Sequence, residues 1–339
     1  GDKTYTLDLI IEDNESKAES AASAATKLIT QDEVLVVVGP QASKQAVPAG
    51  EVCNTNETPM VSPWSTNPRT TKDRPWVFRA CFLDPFQGPV VAGFVTDEMG
   101  ATNAAVLYDV ASDYPKGLAE FFKAAWEELH GEGSVVAFET FTTGDADFSA
   151  QLTKIKAANP DVLFTPQYYN EVPLIVQQAQ ELGITIPIVG SDSWGDPQTL
   201  ELCGPACDGY YFSTHYAAAG ATGATKEFID AYNEKYGYVP GDVAALTYDA
   251  MKLVLQAIQN TGGLTGDLAA YRKAVRDQLA KIKDFEGITG RMTFTEEGDP
   301  IKCAVIVKIV NGEFTFYKQA CPPEMSTAPE PTEEATASE

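Results

Sequence analysis

The sequence predicts an α/β fold of two domains, each a parallel sheet with helices on both faces. Three observations carry that prediction. Apolar strand-like runs alternate with amphipathic helical stretches nearly throughout, the pattern that parallel strands joined by crossover helices produce. The chain has 339 residues, enough for two cores of ordinary size. The run VLVVVGPQAS (34–43) stops at Gly-Pro and opens into a helical stretch, KQAVPAGEVC, so a strand feeds a helix through a glycine turn.

That turn lacks both the three spaced glycines of a dinucleotide site and the Gly-Lys-Ser/Thr ending of a phosphate loop. What remains is one glycine, the hydroxyl of Ser43 and a helix N-terminus, whose unpaired N–H groups and dipole favour an anion such as a carboxylate. The plainer alternative is that Ser43 caps its own helix. Further along, AAVLYDV, VVAFETF, DVLFTPQYY, IPIVGSD and GYYFSTHY read as strands. Between them, YPKGLAEFFKAAWEELHGEG, DFSAQLTKIKAANP and NEVPLIVQQAQELGI carry apolar residues at helical spacing, the first two with stop signals at Gly131 and Asn159-Pro160. In open parallel sheets ligands bind beyond the carboxyl ends of the strands, where strand order reverses. Attention therefore falls on the residues that follow strands: Ser43, the turn SPWSTNP (62–68), Tyr114, Tyr168 and Asp192. Tyr168 and Tyr169 point to opposite faces if their strand continues. Trp194 and His215 are weaker candidates. CAVIVKIVNGEFTFYKQAC (303–321) is two alternating runs about Asn311-Gly312, a hairpin that brings Cys303 near Cys321. From 322 to 339 the chain reads as a disordered acidic tail, too poor in large apolar side chains to offset the entropy of ordering.

Bulk properties exclude several functions. With 48 acidic and 24 basic residues the net charge is −24, which repels nucleic acid and anionic membrane surfaces. No apolar stretch approaches the ~18 residues needed to cross a bilayer. The six cysteines fall as neighbours, Cys53 with Cys81, Cys203 with Cys207 and Cys303 with Cys321. The spacing does not suit zinc, and no metal or other cofactor is expected. The even count suggests an oxidising compartment, with buried free thiols as the alternative. Two isolated histidines, no G-x-S-x-G elbow and no phosphate loop argue against an enzyme.

Five motifs in order, VVVGPQAS, SPWSTNP, VFRACFLDPFQGP, DADFSAQLTKIKAANPDVLF and KDFEGITGRMTFTEEGDPIK, resemble the periplasmic binding proteins of the branched-chain amino acid type, the extracytoplasmic receptors of ABC importers. The resemblance runs from about Leu7 to Phe316. It implies two doubly wound lobes joined by three crossovers, 1–85 plus 217–292 and 86–216 plus 293–321, closing on a small ligand without chemistry. It further implies that Ser43, Ser65 and Thr66 hold the α-carboxylate of an amino acid or analogue, that Asp192 meets the α-ammonium, and that Tyr114 and Tyr168 face the cleft. The partners implied are that ligand and the membrane subunits of an importer, with the receptor a monomer outside the cytoplasm, lipid-anchored through a segment before residue 1. Asp192 satisfying a turn and Tyr114 serving as packing remain the alternatives, and a sensor domain for an amide or carboxylic acid is the second function. The pattern departs from the family in three places. The chain starts at KTYTLDLIIEDN, after the family's first strand and helix, so a truncated first lobe is expected, with YTLDLII (5–11) and VLVVVGP as strands flanking a gap. Trp64 stands where a small residue is usual, and Pro166-Gln167 where Gly-Gly is.

Overall fold

The computed structural model describes residues 4–263 and 265–325. The chain begins with helix α1 (Ala18–Thr30), which buries Ala21, Ala25 and Ile29, one face at four-residue spacing. Strand β1 (Val37–Val38), α2 (Ser43–Thr55), β2 (Met60–Ser62) and β3 (Val77–Arg79) follow, and the three strands form one parallel sheet in the order β1-β2-β3.

Five βα units come next: α3 (Asp84–Met99), β4 (Ala104–Asp109), α4 (Asp113–His130), β5 (Val135–Phe141), α5 (Ser149–Ala158), β6 (Val162–Phe164), α6 (Val172–Glu181), β7 (Ile188–Gly190), α7 (Pro197–Cys203) and β8 (Tyr211–Thr214). Helices α8 (Gly223–Tyr236), α9 (Asp242–Asn260) and α10 (Leu268–Leu279) lead to a small antiparallel sheet of β9 (Phe285–Gly287), β10 (Gly290–Phe294) and β11 (Pro300–Ile301). The hairpin of β12 (Ala304–Val310) and β13 (Glu313–Ala320) joins the large sheet, whose order is β13-β12-β8-β7-β6-β4-β5. Its five parallel strands are wound 2-1-3-4-5, with the reversal between β4 and β6.

These are two lobes. Residues of β2 and β3 share one core with α9, α10 and β10, while the large sheet is covered on its two faces by separate cores, one with α5 and α6, the other with α3 and α4. The chain crosses between lobes three times, after β3, after β8 and at Lys302-Cys303. β10 runs across the expected boundary at 292/293 because Met292 and Phe294 both pack into the first-lobe core.

The hairpin forms as its turn chemistry requires: Asn311 and Gly312 have φ of 53° and 72°, the left-handed pair of a tight hairpin turn. Its register pairs Ala304 with Ala320, so the flanking Cys303 and Cys321 come together and are bonded. Cys203 and Cys207 form a second disulfide. Cys53 and Cys81 are buried free thiols, each pushed up to about 12 by burial.

Two expectations about the start need correction. The stretch 5–11 forms no strand, and Leu7, Leu9 and Ile11 are 60, 77 and 80 % exposed; a strand needs a neighbour for its N–H and C=O groups, and among the described residues no strand pairs with it. β1 is likewise shorter than the apolar run 34–38, pairing only with β2 as an edge strand. Of the expected tail, Met325 N–H closes a turn on Pro322 O, and residues 326–339 lie outside the described residues. Among the described residues no helix is long and apolar enough to cross a membrane.

Candidate functional site

On the first lobe, the loops after β1 and β2 are tied side by side. Gly39 takes φ +112°, open only to glycine, and its N–H reaches Val61 O at 2.9 Å. Ser62 Oγ donates to Pro40 O at 2.7 Å. Helix α2 begins after Ala42 with no side-chain cap, so Ser43 does not cap it. Its hydroxyl instead turns to the neighbouring loop, accepting from Ser65 Oγ at 3.0 Å and from Asn67 N–H at 3.3 Å. Ser65 Oγ is also 2.6 Å from Thr70 Oγ1. Beneath this loop Arg79, fully buried, donates from Nη1 to Ser65 O and Asn67 O at 2.5 and 3.0 Å and pairs with Asp299 at 2.6 Å. The loop conformation is thus held by a buried cation, and Thr66 Oγ1 is buried beside the Asp84 carboxyl.

On the second lobe, Tyr114 follows β4, Tyr168 follows β6 and Asp192 follows β7, so the first two sit at the topological switch point. Asp192 is 1 % exposed. Gln87 Nε2 donates to its Oδ1 at 2.8 Å, Tyr114 Oη lies 2.6 Å from the same atom, and His215 Nε2 is 3.4 Å from Oδ2. Burial lowers His215 to about 4 against the pull of Asp192. The ring is therefore neutral at pH 7, and the contact is a hydrogen bond. Burial, reinforced by the Asp192 carboxylate, pushes Tyr114 well up, so its phenol stays a donor. β6 stops at Phe164, so the expected alternation of Tyr168 and Tyr169 does not arise. Tyr168 packs on the second-lobe core, its ring centroid 5.3 Å from that of Tyr114 and 6.2 Å from that of Trp64 on the other lobe.

Of the six residues expected at the site, Ser43, Ser65 and Thr66 share the paired loops of the first lobe, Tyr114 is hydrogen-bonded to Asp192, and Tyr168 touches Tyr114 and, across the lobes, Trp64. The lobes touch: Asn67 Nδ2 donates to Asp113 O at 2.9 Å and Arg69 pairs with Asp113 at 2.7 Å. Gly117 permits this approach, since a Cβ there would stand 2.9 Å from Asn67 Nδ2.

Two weaker candidates separate. His215 joins the Asp192 cluster and stacks on Phe82 at 3.9 Å. Trp194 belongs to the core under α6, donating to Thr165 O at 3.3 Å and lying against Gly190, where a Cβ would meet the indole at 2.2 Å.

Asp84 was missed. It opens α3, is fully buried, donates its N–H to Thr66 O at 3.0 Å, and has its carboxyl buried beside the Thr66 hydroxyl. Burial raises it to about 8, with the Asp192 charge acting in the same direction and Thr66 and Arg79 opposing. The available signal was an acidic residue set among Phe82, Leu83 and Phe86, an unusual place for a charge unless something answers it.

Where the lobes meet, hydroxyls and a helix N-terminus of the first lobe thus approach two buried carboxyls and the rings of Tyr114 and Tyr168. Among the described residues no group of three or more His, Cys, Asp or Glu is placed to hold a metal. Such walls suit a small zwitterion.

A sequence model described as periplasmic binding protein matches residues 2–313. The Leu/Ile/Val-binding protein homolog 3 of Brucella melitensis biotype 1 is 31 % identical over 289 residues, 85 % of this chain and 75 % of that protein. The crystal structure of a leucine-binding protein, LivK, from Thermotoga maritima MSB8 superposes with a TM-score of 0.86 at 36 % identity, covering 92 % of this chain and 87 % of that one. The branched-chain amino acid transporter substrate-binding protein LivJ from Streptococcus pneumoniae, solved with isoleucine, gives 0.83 at 33 % identity, covering 93 % and 87 %.

Proposed function

The chain belongs to the periplasmic binding protein family, and from that premise we propose that it is an extracytoplasmic solute receptor that holds a small α-amino acid or close analogue between its lobes. It hands that ligand, as a monomer, to the membrane subunits of an ABC importer. One observation carries the choice of ligand. Thr66 Oγ1 and the Asp84 carboxyl are buried against one another with no further partner, and an α-carboxylate and α-ammonium on one carbon would give each of them one. Ser43, Ser65 and the first N–H groups of α2 complete the carboxylate side. Asp192, already furnished with donors by Gln87 and Tyr114, acts beside Asp84 on the ammonium side, and Tyr114 and Tyr168 wall the cleft.

The two relatives named for leucine and isoleucine/valine, and the LivJ structure holding isoleucine, support an amino acid ligand. A thermal-shift screen of the twenty amino acids and simple carboxylates tests it, because a ligand at a hundred times its Kd adds roughly 2.7 kcal/mol to stability. Stabilisation by carboxylates lacking an amino group, and by no amino acid, would refute the ammonium assignment.

A further inference from the structure

Trp64 is the residue of the cleft that the amino acid reading leaves without a task. It follows Pro63 directly after β2, packs its partly buried ring on the first-lobe core, and meets Tyr168 of the second lobe at 6.2 Å between centroids. Ser65 and Thr66, its immediate neighbours, are fully buried on the carboxylate side. The indole therefore stands beside the hydroxyls assigned above to the ligand's carboxylate and against the opposite lobe.

The indole Nε1 is buried and has no acceptor. Trp126 also keeps an unpartnered Nε1, but that ring is stacked between Phe122 and His130 inside the second-lobe core, away from both facing surfaces. The Trp64 ring, by contrast, meets Tyr168 of the other lobe, so it stands at the contact between the lobes. An indole N–H only donates, so a group that completes it must accept.

The charges nearby narrow that group further. Asp84 and Asp192 are the buried carboxylates of the cleft, Arg79 is paired with Asp299, and Lys302 donates to Thr289 Oγ1 at 2.6 Å. A second carboxylate on the ligand would meet like charge and no available cation. A basic side chain has no acceptor to give. What remains is a neutral acceptor.

We propose that Trp64 sets the ligand class: the cleft takes a neutral amino acid whose side chain carries a carboxamide or hydroxyl oxygen, which accepts from the Trp64 indole N–H, in preference to a purely aliphatic one. This rests on the amino acid assignment above. A site built to hydrogen-bond a ligand group discriminates against the analogue lacking it much more strongly than an apolar pocket rejects one methylene, because the site's own polar atom is left buried and unpaired.

Isosteric pairs provide the test. Isothermal titration of the full chain with threonine against valine, and with asparagine and glutamine against leucine, should show at least one oxygen-bearing member binding tenfold or more tighter than its aliphatic counterpart. In Trp64→Phe, with folding checked by its thermal transition, that ratio should fall to within threefold. The inference is overturned if no oxygen-bearing member binds the native chain tenfold tighter than its aliphatic counterpart, a result that needs no variant and leaves the amino acid assignment standing. Survival of the preference in Trp64→Phe also overturns it. Binding of no amino acid at all removes the assignment and this inference together.

Discussion

Replacing Asp84 by Asn should have opposite effects on the free and the ligand-bound protein. The carboxyl is fully buried, has no ion-pair partner and is raised from 3.8 to about 8. Because the folded value lies above the unfolded one, its favourable contribution is complete below about pH 4 and drains away as pH climbs to about 8, over which range the unfolded chain ionises and the closed protein does not. Each unit of such a shift corresponds to about 1.4 kcal/mol, so the burden near neutral pH is of several kcal/mol. Asparagine has no charge to bury. The ligand-free variant should be more stable than the native chain at pH 7 to 8 by about 1–3 kcal/mol, and its stability should depend less on pH between 4 and 8. With ligand the sign reverses. An ammonium that loses its carboxylate in a closed cleft costs about 3–5 kcal/mol, a weakening on the order of a hundredfold or more. Native binding should also release a proton near pH 7, since the ammonium drives Asp84 to ionise. Titration in buffers of different ionisation enthalpy reads that proton directly. Affinity within threefold of native, with no change in proton release, would refute the role given to Asp84.

Asp192→Asn should weaken amino acid binding at least tenfold and also lower the stability of the free protein by about 1–3 kcal/mol, because Gln87 and Tyr114 lose a charged acceptor; calorimetric titration and thermal unfolding separate the two effects, and unchanged affinity would remove it from the site. The Cys303–Cys321 bridge closes a loop of sequence separation 18, so the double serine variant should lose about 2–4 kcal/mol in denaturant unfolding, and a loss below about 0.5 kcal/mol would contradict that estimate. Lys302 is lowered by burial from 10.5 to about 8; the unfolded chain then binds more protons than the folded one between those values, so native stability should rise with pH from about 8 to 10.5. Lys302→Met should lack that rise, and an equal rise in both would exclude Lys302 as its source.

The sheets were legible because their period and punctuation are local. AAVLYDV and VVAFETF became β4 and β5, and Asn159, predicted to stop its helix, ends α5 in the left-handed conformation at φ 51°. Asn311-Gly312 fixed the hairpin register and with it a disulfide. The runs that misled are those whose state depends on a distant partner. Residues 5–11 alternate as a strand should, yet alternation creates no neighbour to bond with, and DVLFTPQYY ends as a strand at Phe164. At the site, Ser43 and Asp192 announced themselves by following strands. Asp84 did not, because it precedes a helix after a crossover, and a charge among phenylalanines reads as ordinary helix-start chemistry until the opposing lobe is in place. His215 was legible only as a residue, since its contact with Asp192 depends on the second and first crossovers stacking through Phe82.

That stacking bears on how the lobes move. Lys302 at the third crossover lies 3.3 Å from Ala80 O at the first, and His215 at the second stacks on Phe82 at the first. These two contacts, both buried, tie the three connections into one unit. Closure then sets two groups of contacts against each other. It gains Asn67 to Asp113 and the exposed Arg69–Asp113 pair, the latter worth at most about 1 kcal/mol. It leaves Trp64 Nε1 buried without a partner at a cost of about 1–3 kcal/mol, and holds the Asp84 carboxyl buried against Thr66. An occupant that gives those atoms partners binds the closed form better than the open one, and that difference in affinity is what a ligand needs in order to shift the equilibrium. The polar atoms left unpaired across the cleft are therefore the element that couples occupancy to closure.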